Sequence, residues 1–156
     1  MRIHLIAVGV RMPAWVRAGY EDYARRLPPE CRLRLVEIAP ERRGRRPDLR
    51  RLLAAEGRRM LAAVPRDSRV VALDAGGREW STPELARRLG DWLAGGRDLA
   101  LLVGGPEGLD PACLDRAAEH WSLSRLILPH PLVRVVVAEQ LYRAASILRG
   151  HPYHRD

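Results

Sequence analysis

Apolar residues along this chain gather in short continuous runs that alternate with stretches of helical spacing. Residues 2–9 form an apolar run ending in glycine and predict a first strand. Residues 12–27 place Trp15, Ala18, Gly19, Tyr23 and Leu27 at helical intervals, and Pro28-Pro29 ends that helix. Residues 32–38 alternate, with Leu33, Leu35 and Glu37 on one face and Val36 and Ile38 on the other, which predicts a second strand. A loop over 39–47 leads to a helix over 48–64 with Leu49, Leu52, Leu53, Met60 and Leu61 as its stripe. Residues 69–74 predict a third strand, and Ala75-Gly-Gly-Arg78 a turn. Ser81 and Glu84 have capping-box spacing around Pro83, and the helix they open is stopped by Ala94-Gly-Gly96. A fourth strand spans 99–103, and Asp110-Pro111 caps a helix reaching about residue 119. A fifth strand spans 121–128 and breaks at Pro129-His-Pro131; the last helix covers 132–148, and a tail follows.

Strands and helices therefore alternate, five of each. The third and fourth strands are almost wholly apolar, as in parallel sheets covered on both faces. The expected class is α/β, a mainly parallel five- to six-stranded sheet with helices on both sides. A length of 156 residues fits one domain over 1–156. In the last helix Val133, Val136, Val137, Leu141, Ala144 and Leu148 form one apolar stripe, and Leu132, Val135, Ala138, Tyr142 and Ala145 extend it to a second face. A helix apolar on two faces must be buried twice, which predicts a homodimer in which a copy of the chain covers the second face.

Charge narrows the partners. The net charge is +8, which favours polyanions and nucleic acid above all. All 27 basic residues are arginine, and arginine, alanine, glycine and proline abound, a pattern that a GC-rich genome also produces. Arg42, Arg43, Arg45 and Arg46 are candidate phosphate contacts, the alternative being a solvated loop. With no lysine, a Walker A phosphate loop is excluded. Cys31 and Cys113 lack metal-ligand spacing and read as buried or idle thiols in a reducing compartment. No metal is expected, since His151 and His154 find no third ligand. No run approaches the roughly 20 apolar residues of a membrane span, so no membrane partner is expected, and the start of the chain lacks a signal-peptide pattern. The expected location is the cytoplasm.

Two segments carry most of the chemistry. Val103-Gly-Gly-Pro-Glu-Gly-Leu109 places three glycines after a buried strand and before a capped helix. Ligands of open α/β sheets lie beyond such strand ends, and glycines let the backbone approach them. The bland alternative is a plain connection, for which two residues would serve. Ser122-Leu-Ser-Arg-Leu-Ile-Leu-Pro-His-Pro131 ends against two prolines and offers free backbone groups that could read an adenine edge, or form a structural turn only. Glu139 and Arg143, four apart, form either a helix-surface ion pair or part of a catalytic site.

Together these segments resemble one family. The likeness runs through Ala7-Val-Gly9, Leu73 with its glycine turn, Gly104-Gly-Pro-Glu-Gly-Leu109, Leu128-Pro-His-Pro-Leu-Val-Arg134, Glu139-Gln-Leu-Tyr-Arg143 and His151-Pro-Tyr-His-Arg155, in order over essentially the whole chain. It is similar to the ribosomal RNA large subunit methyltransferase H family of the SPOUT class. The resemblance implies a C-terminal trefoil α/β knot, which general topology rules would not predict, and an obligate homodimer. It implies methylation of N3 of a pseudouridine in 23S rRNA on the assembled ribosome, with S-adenosylmethionine as donor. The implied cofactor pocket is Leu73, Gly104 and the stretch Leu123, Ser124, Arg125, Leu126, Ile127 and Leu128, with Gly105 and Gly108 lining the same crevice by position. The implied substrate site holds His130, Arg134, Arg143, Tyr153 and His154. This chain departs from the family mainly in carrying arginines in place of lysines, which keeps charge but changes hydrogen-bond geometry.

Methyl transfer to an imide nitrogen requires aligned reactants and a base for the N3 proton. His154 is the first candidate base, with Tyr153 and Glu139 as alternatives, and Arg143 is the candidate for stabilising the imidate charge. The competing readings are a ribosome-binding module with a vestigial pocket, an enzyme acting on small phosphorylated substrates, and a tRNA methyltransferase.

Overall fold

The computed structural model describes residues 1–153. Strands β1 (Arg2–Val8), β2 (Arg32–Ile38), β3 (Arg69–Glu79), β4 (Leu99–Val103) and β5 (Glu119–Ser122) pair in one all-parallel sheet of order β2-β1-β4-β3-β5. Every connection is therefore a crossover, supplied by the helices α1 (Ala14–Ala24), α2 (Leu49–Ala63), α3 (Thr82–Gly95) and α4 (Pro111–Arg116), while α5 (His130–Arg149) follows β5. The expected α/β architecture with helices on both faces is what is found.

Side chains alternate along each strand, so each strand feeds two cores. Ile3, Leu5 and Ala7 of β1 and Leu99, Leu101 and Val103 of β4 pack under α1, α3 and α5, against Tyr20, Leu89, Trp92, Val137 and Leu141. Ile6, Val8, Ala100 and Leu102 face the other way, against Met60 of α2 and Cys113 of α4. Cys31 and Cys113 are free and buried, and burial pushes both thiols up to about 11.

The elements depart from the sequence reading in physically legible ways. In α1 the buried face is Val16 and Tyr20, while Trp15, expected to face inward, is 62% exposed. β3 does not stop at residue 74. It resumes after an irregularity, with both Leu73 and Arg78 registered on Trp121, so residues 74–77 bulge outward. Gly77 is needed there, because a Cβ would lie 2.6 Å from the His120 carbonyl. β5 ends at Ser122 rather than 128, since Ser122 Oγ donates to the Ser124 carbonyl and Ser124 Oγ accepts from Leu126 N, turning the chain out of the ladder. α4 is only six residues long, capped by Asp110 as expected.

The chain itself covers much of the two apolar faces of α5. It lies between α1 and α3 and buries Val137, Ala138, Leu141, Ala144 and Ala145 within the chain, with Val135 against Gly19 of α1 and Leu148 near Gly90 of α3. Leu132, Val133, Val135, Val136 and Tyr142 stay only half-buried and Leu148 is 45% exposed, so part of the apolar surface of α5 remains uncovered within one chain. Among the described residues, no helix is long and apolar enough to cross a membrane, and no group of three His, Cys, Asp or Glu could hold a metal.

Candidate functional site

Beyond the carboxyl ends of β3, β4 and β5 lies a crevice of about 590 Å³. Its floor is the glycine loop after β4. Gly104 is buried so closely against Gly108 that a Cβ would collide with the Gly108 carbonyl. Gly108 N donates to Gly105 O at 3.0 Å, and Gly108 has φ +83°, so the loop closes as a tight turn that other residues would strain. One wall is Leu73 with the bulge residues Asp74 and Ala75; the other is the irregular segment after β5, with His130 and Val133 from the start of α5.

Of the ten residues expected to hold the cofactor, nine line this crevice: Leu73, Gly104, Gly105, Gly108, Leu123, Ser124, Leu126, Ile127 and Leu128. Arg125 is exposed and is not among the lining residues. Leu126 and Ile127 are 75% and 92% exposed, unusual for large aliphatic side chains. His130 Nδ1 is buried without a partner, and burial together with the nearby Arg134 charge holds the imidazole below its usual 6.5, so it is neutral at neutral pH.

These features fit S-adenosylmethionine. The apolar walls suit an adenine face, the glycine loop admits a ligand against bare backbone, and an orphaned ring nitrogen awaits a polar partner.

Arg134 was expected to contact substrate, but it is 1% exposed. Its guanidinium donates to Glu37 Oε2 and to the Gly9 carbonyl, each at 2.8 Å. It pins the start of α5 to the ends of β1 and β2, and those two bonds use both of its terminal nitrogens.

A second group sits further along α5. Glu139 Oε1 accepts from Arg143 Nε at 2.9 Å and from the Tyr153 hydroxyl at 3.1 Å, while Gln140 donates to Glu139 Oε2. The Tyr153 ring packs on Tyr142, 4.4 Å between centroids, and beneath the Arg143 guanidinium. Burial, followed by the bond to Glu139, pushes the phenol up to about 12, so Tyr153 keeps its proton and donates. The same carboxylate holds the Arg143 guanidinium above its ordinary range. His154 lies outside the described residues. His130 and Arg143 are 13 positions apart on one helix, about 20 Å along its axis, so a single chain does not bring the two groups together.

The arginine loop is anchored to the crevice from outside. Arg43 pairs with Glu107 of the glycine loop at 2.6 Å, whereas Arg42 and Arg46 line a separate cavity on α2, and Arg45 is exposed. The bulge residues Asp74 and Ala75 escaped the sequence reading because Ala75-Gly-Gly looked like an ordinary turn; the two adjacent glycines were the available signal.

Comparison with known proteins agrees with this geometry. A family described as "Predicted SPOUT methyltransferase" matches residues 1–154. The chain is 65% identical over its full length to the "Ribosomal RNA large subunit methyltransferase H" of Thioalkalivibrio sulfidiphilus, covering all of that protein. It is 63% identical to the protein of the same name from Methylococcus capsulatus, over 99% of this chain and 100% of the relative. Among solved structures, a probable methylase family protein from Haemophilus influenzae aligns with 99% of this chain and 70% of its own, at 15% identity and a TM-score of 0.54, a likeness of fold. By whole-length sequence identity and by the crevice its sheet builds, the chain belongs to the SPOUT methyltransferases, in the ribosomal RNA large subunit methyltransferase H family.

Proposed function

We propose that this protein uses S-adenosylmethionine to methylate large-subunit rRNA, at N3 of a pseudouridine in the assembled ribosome, and that it works as a cytoplasmic homodimer, one methyltransferase domain per chain. The observation that carries the reading is the crevice of bare backbone and apolar walls at the sheet rim, in a chain that matches rRNA methyltransferases end to end.

When bound, S-adenosylmethionine supplies a methyl group on a sulfonium. Gly104, Gly105 and Gly108 present backbone to it, and Leu73 and the segment 123–128 enclose it. Neutral His130 reaches the polar part of the site. Arg143, oriented by Glu139, stabilises negative charge on the imide carbonyl oxygens as N3 gives up its proton. Tyr153 acts as a donor rather than a base, which leaves His154 or Glu139 to take that proton.

Distance supports the proposed homodimer. Arg143 lies about 20 Å along α5 from His130 of its own crevice, and in a symmetric pair the partner chain would bring its own Arg143 and Tyr153 to that crevice. Exposed Trp15, Leu126 and Ile127 supply apolar surface for that contact. In the same frame, the chain after β5 forms the family's knot.

The reading is tested by incubating the purified protein and methyl-labelled S-adenosylmethionine with 70S ribosomes, free 23S rRNA and tRNA, then mapping the label by mass spectrometry. One labelled pseudouridine in ribosomal 23S rRNA is expected. Label in tRNA, or none with any substrate, overturns it.

A further inference from the structure

On the opposite side of the sheet from α5, the loop before α2 and the first turns of that helix enclose a second cavity, of about 530 Å³. Arg42 and Arg46 line it from the loop, and Arg51, Arg58 and Arg59 from α2. Positions 51, 55, 58 and 59 share one helical face, and Ala55 leaves the space between the arginines open.

The carboxylates nearby are already committed. Asp48 caps α2 by accepting from Arg51 N, and Glu41 accepts from Arg59 Nη1 at 2.9 Å. Arg59 also donates to the Ala39 carbonyl. The guanidinium groups of Arg42, Arg46, Arg51 and Arg58 have no carboxylate within salt-bridge distance among the described residues. Four exposed guanidinium groups without carboxylate partners line one hollow, an arrangement that favours an anion there. Guanidinium forks match phosphate oxygens in pairs.

Position says which anion. The same loop carries Arg43, whose ion pair with Glu107 fixes it beside the glycine loop of the crevice. A strand whose target base enters the crevice would pass its backbone along this loop.

We propose that Arg42, Arg46, Arg51 and Arg58 form a phosphate-binding subsite for the RNA backbone flanking the methylated nucleotide. The assignment rests on the rRNA reading above and replaces the four loop arginines with a loop-and-helix set: Arg43 serves the loop itself, Arg45 does not line the cavity, and Arg51 and Arg58 join.

The test is fluorescence anisotropy with a fluorescein-labelled single-stranded oligouridine over a salt series. The proteins are the intact chain, Arg51→Gln/Arg58→Gln, Arg42→Gln/Arg46→Gln, and the control pair Arg66→Gln/Arg87→Gln. For the two subsite pairs, the slope of log affinity against log salt should flatten by about 1.4, two phosphates at roughly 0.7 each, with binding about ten-fold weaker. The control pair should keep most of the slope. Thermal midpoints and calorimetric affinity for S-adenosylmethionine should not change. If the intact chain binds RNA but both subsite pairs keep its slope, or the control pair flattens it equally, the subsite is wrong and the rRNA reading survives. If the intact chain does not bind the oligouridine, the subsite is wrong, and the rRNA reading is decided separately by the methylation of ribosomes.

Discussion

Arg134 Nη1 donates at 2.8 Å to Glu37 Oε2, joining the first turn of α5 to the end of β2 across 97 residues of chain. The guanidinium is 1% exposed, while the Glu37 side chain is 38% exposed. Removing the carboxylate therefore strands a buried cation. Glu37→Gln is expected to cost on the order of 3 kcal/mol, reduced somewhat by the remaining bond to Gly9. For a domain of this size that lowers the thermal midpoint by about 6–12 °C, read by scanning calorimetry. An unchanged midpoint would show that the pair does not hold α5 in place.

Gly104→Ala forces a methyl group into the Gly108 carbonyl. Overpacking of this kind costs about 1–3 kcal/mol. If the loop yields instead of the fold, that appears as a loss of about 5- to 150-fold in affinity for S-adenosylmethionine. Titration calorimetry checks it, and undiminished affinity would separate the loop from cofactor binding.

Tyr153 is held protonated by burial and by its bond to Glu139. Its folded pKa, about 12, lies above the unfolded 10.0. The stabilisation it gives is complete below pH 10 and fades as the pH rises through 12. The phenolate absorbance lost in Tyr153→Phe should titrate near pH 12. Turnover should fall about ten-fold through misplacement of Arg143, with cofactor affinity intact. Equal single-turnover rates for both proteins would remove Tyr153 from the site.

His130 titrates below 6.5, chiefly because of burial. A depressed histidine binds fewer protons folded than unfolded, so its contribution to stability is full above pH 6.5 and declines as the pH falls through the folded value. The His130→Gln variant should lose less stability than the parent between pH 7.5 and pH 5.5, read as denaturation midpoints. Bound S-adenosylmethionine should also shift the His130 ring signals in NMR spectra, and signals that stay still would place the histidine outside the cofactor site.

Trp15 offers 62% of its surface to solvent. Trp15→Glu places a charge where the partner chain is proposed to dock. Sedimentation should show the parent as a dimer and the variant shifted toward monomer, with turnover falling in proportion. A parent that sediments as a monomer would end the two-chain site.

The sheet was readable because β4 is wholly apolar and β1 nearly so, and because the capping box at Ser81 and the cap at Asp110 announce their helices. The glycine loop was readable because three glycines in five residues exceed what a connection needs. The bulge in β3 was not, since a strand that leaves its ladder and returns looks locally like a turn. The end of β5 was hidden for a related reason: residues 123–128 keep an apolar composition while two serines redirect the backbone. Arg134 misled for a third reason. An arginine in a helix is normally at the surface, and its carboxylate partner lies 97 positions away, beyond any local pattern.

The order of strands also governs how the molecule comes into being. β1 is translated first, yet one of its two neighbours, β4, begins at Leu99, so a bare ladder edge persists while most of the chain is still being made. Distant pairings of this kind slow folding. Of the described elements, β5 and α5 emerge last and complete the crevice, so a chain cut before His130 would hold all five strands yet lack the His130 and Val133 side of the pocket.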